Sequence, residues 1–242
     1  MKKSIIYLIL SISIILLWQF ASTGNNTVRL LVSSPSLIIE YFSQNYTDLL
    51  LATWTTFIEA LIGLIIATLF SFSMMIFCFY KPKFMEFILP LMVTSQVVPL
   101  IVLAPFFIIL LGIGLSSKIA MAAIISFFPI FVNFTQGYKS ISKNIHEMMT
   151  VYQAKISYKI KHVYFPLSMP SIIAGLKVSA TLAVIGAIVA EFTGAERGLG
   201  KNLFLSAIRL EPELMMSSLL LSALLGGLLF MLIMVIEKKI YN

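Results

Sequence analysis

The chain has 242 residues, of which 60% are hydrophobic and only 11% charged, against roughly a quarter charged in an ordinary water-soluble domain. A mean hydropathy of +1.01 agrees, and together these values exclude a soluble enzyme, because most of the surface has to face lipid. The formal charge of +7 does not point to nucleic acid, because the basic residues mark the ends of apolar blocks instead of forming one patch.

Those blocks are about the length that some 30 Å of hydrocarbon demands. Six can be read: about Ile5 to Phe20, Leu49 to Tyr80, Phe87 to Leu111, Ile119 to Tyr138, Ser171 to Glu191 and Leu214 to Ile236. Since no stretch between them exceeds about 35 residues, residues 1–242 are expected to form one all-α membrane domain with about six transmembrane helices. With the amino terminus inside, Lys2, Lys3, Lys81, Lys83, Lys139, Lys143, Lys155, Lys159, Lys161, Lys177, Lys238 and Lys239 are cytoplasmic. Arg29, Lys118, Arg197, Lys201 and Arg209 then fall outside, which is the asymmetry of the positive-inside rule. The expected location is the cell (inner or plasma) membrane, multi-pass, with both termini cytoplasmic.

Lys2-Lys3, the apolar run and Phe20-Ala21-Ser22 have the outline of a cleavable signal. The block is read as a span, because it is long for a signal and its removal would leave an odd number of spans. The more polar 21–48 stretch reads as an external surface connection. Within it Gly24-Asn25-Asn26 forms a turn, and Ser33-Ser34-Pro35-Ser36 a cap ahead of a short helix. The second block holds the lone cysteine, Cys78, which reads as a small core residue and excludes an intrachain disulfide. It also holds Glu59, an acid in or near the membrane, where such groups are costly and functional. Glu59 either borders a transport path or lies near the outer interface.

Pro90, Pro99 and Pro105 interrupt the third block, together with Thr94, Ser95 and Gln96. Proline frees backbone carbonyls, and in lipid these must find protein or water. Gln96 and Pro99 are therefore candidates for a path lining, with a kinked packing helix as the plain alternative. Glu191 closes the fifth block ahead of Gly194, Gly198 and Gly200, as a second path acid or as an interfacial acid before a flexible turn.

The longest cytoplasmic segment is about 139–170. Ile145, Met148, Met149 and Tyr152 fall at i, i+3, i+4 and i+7, one apolar face on a helix too short to cross a bilayer. Something has to cover that face. Beyond it, Lys155, Lys159 and His162 share a basic stripe beside the apolar Ile156, Ile160 and Val163, and the basic stripe could touch anionic lipid headgroups. His146 and His162 read as solvated surface histidines. There is no HExxH, and 195–202 lacks the first glycine and the closing Ser or Thr of a phosphate loop. No catalytic residue, metal site or cofactor is expected in this chain, and any ATP is expected on a partner. No inverted internal repeat is visible, which counts against an ion-coupled secondary transporter, the alternative reading along with a channel-like protein.

Glu147-Met148-Met149, Gln153-Ala154 and Val163-Tyr164-Phe165-Pro166 resemble, at the same spacing, the cytoplasmic loop of permease subunits of binding-protein-dependent ABC importers. That loop has Glu-Ala-Ala, three residues, Gly, nine residues, then apolar, any, apolar and Pro. The likeness continues through Pro99-Leu100, Ala104-Pro105, Gly112-Ile113-Gly114, Lys118, Gly175-Leu176-Lys177, Ala190-Glu191 and Gly198-Leu199-Gly200, and Ser34-Pro35-Ser36 also fits. It is nearest the branch carrying sulfonates, taurine and nitrate, with pyrimidine thiamine precursors and riboflavin. The resemblance implies a coupling helix docked on a cytoplasmic ATPase through Glu147, Met148, Met149, Tyr152, Gln153, Ala154 and Pro166. It implies as partners two ATPase subunits, a second permease copy, an external substrate-binding protein and membrane lipid, and no nucleic acid. Two departures matter: methionines replace the two alanines, and Gln153 stands where the family has glycine, so the turn is expected to differ in shape. A third is Glu59, where the family often has a basic residue.

Overall fold

The computed structural model describes residues 2–23 and 32–241, so the expected Gly24-Asn25-Asn26 turn and Arg29 lie outside the described residues. Among those described, all regular secondary structure is helical and there is no strand. Helix α1, Lys2–Thr23, precedes α2, Pro35–Tyr80. Ser34 is the N-cap in extended conformation and Pro35 takes the first helical position, where a missing N–H costs nothing. The Ser34 side chain makes no cap bond. Gln19 of α1 instead accepts the Ser36 N–H at 3.2 Å and donates to the Ser36 hydroxyl at 3.0 Å.

The expected short helix after this cap is the start of a 46-residue one, kinked at Asn45 (φ −120°, ψ 21°). No Gly or Pro stands between Pro35 and Gly63 to stop it. The third apolar block behaves in the opposite way and divides into α3, Pro82–Ser95, and α4, Leu100–Leu111. Pro99 has no N–H and keeps Val98 out of the helical region. The end of α3 tightens into i→i−3 bonds, from Gln96 to Val93, Val97 to Thr94 and Val98 to Ser95. At 1.5 Å per residue the two pieces are about 21 and 18 Å long, so neither crosses the hydrocarbon alone.

Helix α5, Leu115–Lys139, is followed by α6, Lys143–Val151, the single turn α7, Ile156–Lys159, and a π turn, Ile160–Tyr164. Helix α8, Phe165–Glu191, continues directly from that turn, so the fifth span begins well before Ser171. Helices α9, Leu199–Arg209, and α10, Pro212–Tyr241, complete the chain.

The centre is α5, held between α2 and α8. Small residues make this approach possible, as is common where helices meet in lipid without a hydrophobic driving force. A Cβ on Gly186 would strike the Ala122 backbone, and one on Gly175 would strike Pro129 and Asn133 of α5. The Ser179 hydroxyl crosses to the Ser126 carbonyl at 2.7 Å. Lys177 of α8 pairs with Glu237 of α10 at 2.6 Å, which puts these two groups at one level. Around this core the apolar side chains point outward: Phe20, Ile109 and Leu224 are 72%, 82% and 69% exposed. Such a surface is compatible with hydrocarbon and not with water.

Candidate coupling surface, transport path and buried polar cluster

Helix α6 lies against the end of the core where α2, α5 and the π turn meet. Its apolar residues do not form one outward face. Met149 is buried and Ile145 half-buried, packed with Phe79, Phe134, Val163 and Tyr164. Met148, Val151 and Tyr152 are 46%, 80% and 74% exposed. The pair at i and i+4 is consumed by the chain's own core, and the outward stripe runs through 148, 151 and 152, at i, i+3 and i+4. Val151 is the member that the sequence reading missed. Glu147 borders the stripe and pairs with Lys143 at 3.5 Å, both well exposed.

Gln153 adopts φ +47°, so the turn keeps the left-handed shape that glycine would give, contrary to expectation. Its N–H donates to the Thr150 carbonyl at 2.9 Å and the Ala154 N–H to the Met149 carbonyl at 3.1 Å. These are the two bonds of a Schellman cap, and Ala154 packs beside Met149 as that motif favours. The left-handed residue costs about 1–2 kcal/mol when it is not glycine, and here the cap bonds and the Met149 contact hold it. Pro166 is exposed in the first turn of α8.

His146 is not simply solvated. Half-buried, it stands edge-on to Tyr138 at 5.5 Å and tilted on Tyr164 at 5.3 Å, while those tyrosines meet each other at 5.0 Å. This box joins α6 to α5 and to the π turn that leads into α8. His162 is exposed and stacks on Tyr158. Ile156 and Ile160 pack inward with the buried Val163, whereas Lys155 is exposed.

The four path candidates separate into two pairs. Gln96 and Pro99 are exposed at the break between α3 and α4. Glu59 and Glu191 are 0% and 1% exposed, enclosed by α2, α5, α8 and α9. Glu191 accepts the Thr56 hydroxyl at 2.7 Å and the Gly200 N–H at 2.5 Å, and Thr56 in turn accepts the Leu199 N–H at 2.9 Å. A carboxylate at the start of α9 meets unpaired amides and the positive end of the helix. Gly198, at φ +138°, and Gly200 leave room for it, since a Cβ at either position would overlap the Glu191 side chain. Glu59 faces Lys118, 3.6 Å away, and also Glu191. Lys118 is buried, not free on the outer surface. Thr56 and Lys118 were not legible as members of this cluster: Glu59, Glu191 and Lys118 showed only as separate charges in apolar surroundings, and Thr56 gave no signal.

No group of three or more metal-ligating side chains occurs among the described residues. Residues 62–240 match the family of binding-protein-dependent transport system inner membrane components. The formylaminopyrimidine transport permease protein of Halalkalibacterium halodurans is 34% identical over 139 residues, 57% of this chain and 56% of that protein. A probable ABC transporter permease protein of Haemophilus influenzae is 24% identical over 208 residues, 86% of this chain and 85% of the relative. For the putative aliphatic sulfonates transport permease protein of Bacillus subtilis the identity is 24% over 243 residues, 96% of this chain and 85% of the relative. The chain thus spans little over half of the first relative's length. The family match includes the α6 stripe and Glu191 but begins after Thr56 and Glu59.

Proposed function

We propose, from the premise that this chain belongs to the family of binding-protein-dependent transport system inner membrane components, that two copies of it, as one domain each, enclose a transport path. Two cytoplasmic ATPase subunits bind the ATP and drive the copies between inward-open and outward-open states, and an external binding protein delivers a small solute. The relatives' names include a formylaminopyrimidine and aliphatic sulfonates, and a solute of that size, anionic or heterocyclic, is the proposed cargo. Both termini are cytoplasmic, as the lysine distribution requires.

The observation that carries this reading is the outward stripe of α6. Three apolar side chains in the cytoplasmic loop of a membrane protein have no hydrocarbon to enter, and burying each large one contributes about 1.5 to 3 kcal/mol. A groove on the ATPase covers Met148, Val151 and Tyr152, with Glu147 at its rim. Met149, Ala154 and Gln153 serve the same contact from behind, by fixing the pose of α6, and Pro166 starts the helix that carries the movement onward. Gln96 and Pro99 face the path, where the break between α3 and α4 gives free backbone groups access to water. Glu59 and Glu191 act on the path indirectly, by holding α9 against α2.

The test is accessibility in a Cys78→Ser background. A cysteine at position 96 should react with a small hydrophilic thiol reagent, and its rate should change when ATP is trapped on the assembled complex; inertness in every state removes Gln96 from the path. A cysteine at position 159 should resist an impermeant reagent applied to intact cells, and labelling from outside would overturn the orientation.

A further inference from the structure

Where α2 gives way to α3 the chain makes one tight joint. The Lys81 N–H closes α2 on the Phe77 and Cys78 carbonyls at 3.0 and 3.2 Å, and Pro82 opens α3 immediately afterwards. The joint leaves an open hollow lined by Phe77, Tyr80, Lys81, Lys83, Phe84 and Phe87. Phe77 and Phe84 meet edge to face across it at 5.1 Å and 87°, which ties its two walls together. The next side chains inward, Cys78, Phe79, Met85 and Ile88, are buried in the core, so the hollow opens away from the protein. Phe77, Tyr80 and Phe87 are 50%, 53% and 68% exposed.

Two properties of this surface belong together. Its floor is aromatic, and both its cations are exposed and outside the ion pairs made among the described residues, which are Lys118–Glu59, Lys143–Glu147 and Lys177–Glu237. The one acid on the first turns of α3, Glu86, is exposed and makes none of these pairs. Its depth follows from the charges: 60–80 is an uncharged run between Glu59 and Lys81, about the twenty residues that cross the hydrocarbon, so the hollow at its end lies at the membrane boundary. Tyr80 with Lys81 and Lys83 just beyond it fits that boundary, where tyrosine and basic residues gather, and the phenylalanines offer an apolar surface on its hydrocarbon side. A second protein seated there would need carboxylates for both lysines and an apolar surface for the rings, whereas one phospholipid supplies a phosphate and acyl chains in that order along the membrane normal.

We propose that this hollow binds an anionic phospholipid, its phosphate between Lys81 and Lys83 and its acyl chains on Phe77, Tyr80 and Phe87. The inference rests on the cytoplasmic placement of this joint in the proposed orientation. The bound lipid steadies the base of α3, whose other end is the break at Gln96 to Pro99.

Native mass spectrometry of the full-length chain in detergent, with added dioleoyl phosphatidylglycerol or dioleoyl phosphatidylcholine, measures this. Two lysines at an anionic headgroup predict binding of the glycerol lipid about ten- to thirtyfold tighter than the choline lipid. The preference should vanish in K81A/K83A, survive in K81R/K83R, and be untouched by millimolar inorganic phosphate. Equal binding of the two lipids, a preference that outlasts K81A/K83A, or full displacement by phosphate overturns the proposal. A spontaneous disulfide between two K83C chains in native membranes would seat a second copy there and overturn it as well. Labelling of K83C in the Cys78→Ser background, with the lipid preference read in the Cys78→Ser parent, separates the two readings. Labelling from outside with the lipid preference intact rejects the orientation, whereas protection from outside with no preference rejects the lipid site.

Discussion

The loop between α5 and α8 and the buried polar cluster both contain glutamate, in opposite settings. In the loop, Glu147 and the stripe Met148, Val151 and Tyr152 are exposed, and each stands within one or two helical turns of the others. In the cluster, Thr56, Glu59, Lys118 and Glu191 come from three helices and are all buried, and each depends on another for a charge or a hydrogen bond. An exposed side chain is free to be covered by something else, so changing it alters partnership and leaves the fold. An enclosed charge has already spent its desolvation cost, and removing one partner strands the rest.

The largest effect is therefore expected in the cluster. Glu191→Leu removes the acceptor for the Thr56 hydroxyl and the Gly200 amide and should lower stability by about 3–5 kcal/mol, read as thermal unfolding of the purified protein. Glu191→Gln, which keeps an acceptor, should lose clearly less. Charge reversal sharpens the point: Glu59→Lys and Lys118→Glu should each destabilise, and the double reversal should recover much of the loss. Strict additivity of the two would deny that they are paired.

Neighbouring methionines give the next largest contrast. Met149→Ala opens a space beside Phe79, Phe134 and Tyr164 and should cost about 2–5 kcal/mol. Met148→Ala should stay within about 0.5 kcal/mol, as exposed substitutions do. Similar melting temperatures for the two variants would contradict the inward and outward assignment.

The same contrast explains what was legible beforehand. Blocks of twenty apolar residues, the cap at Ser34-Pro35 and the helix at 143–151 are local patterns, and sequence spacing reports them. The division of one apolar face between core and exterior is not local: Ile145, Met148, Met149 and Tyr152 share a periodicity, and only the position of α2, α5 and the π turn decides which pair is covered. Proline in the third block foretold interruption, but not that α3 would end at Ser95 and a new helix begin at Leu100. Lys118 and Glu191 were visible as single charges in apolar surroundings. Their partners stand far off in sequence, and nothing in spacing connects Thr56 with Leu199 or Glu59 with Lys118.

A smaller effect belongs to the turn after α6. Gln153→Gly relieves about 1–2 kcal/mol of left-handed strain and gives back about 0.4–1 kcal/mol through the looser unfolded chain. The net is a modest gain in stability in thermal unfolding, whereas Gln153→Val should be clearly worse than wild type. The smallest effect is expected for Lys143→Ala, which breaks an exposed i,i+4 pair and should change stability by no more than about 0.5 kcal/mol. A loss of several degrees there would mean that Glu147 does more within the fold than its exposure indicates.

The proposed coupling role of the stripe is tested most directly by co-purification. Met148→Asp with Tyr152→Asp puts two charges where an apolar groove has to close, and desolvating them without partners is costly. The account predicts that this double variant inserts and melts like wild type, yet no longer retains the ATPase on purification and no longer supports ATP-driven uptake. Retention of the ATPase and uptake at wild-type levels would contradict it, and would leave the outward face of α6 with no part in coupling.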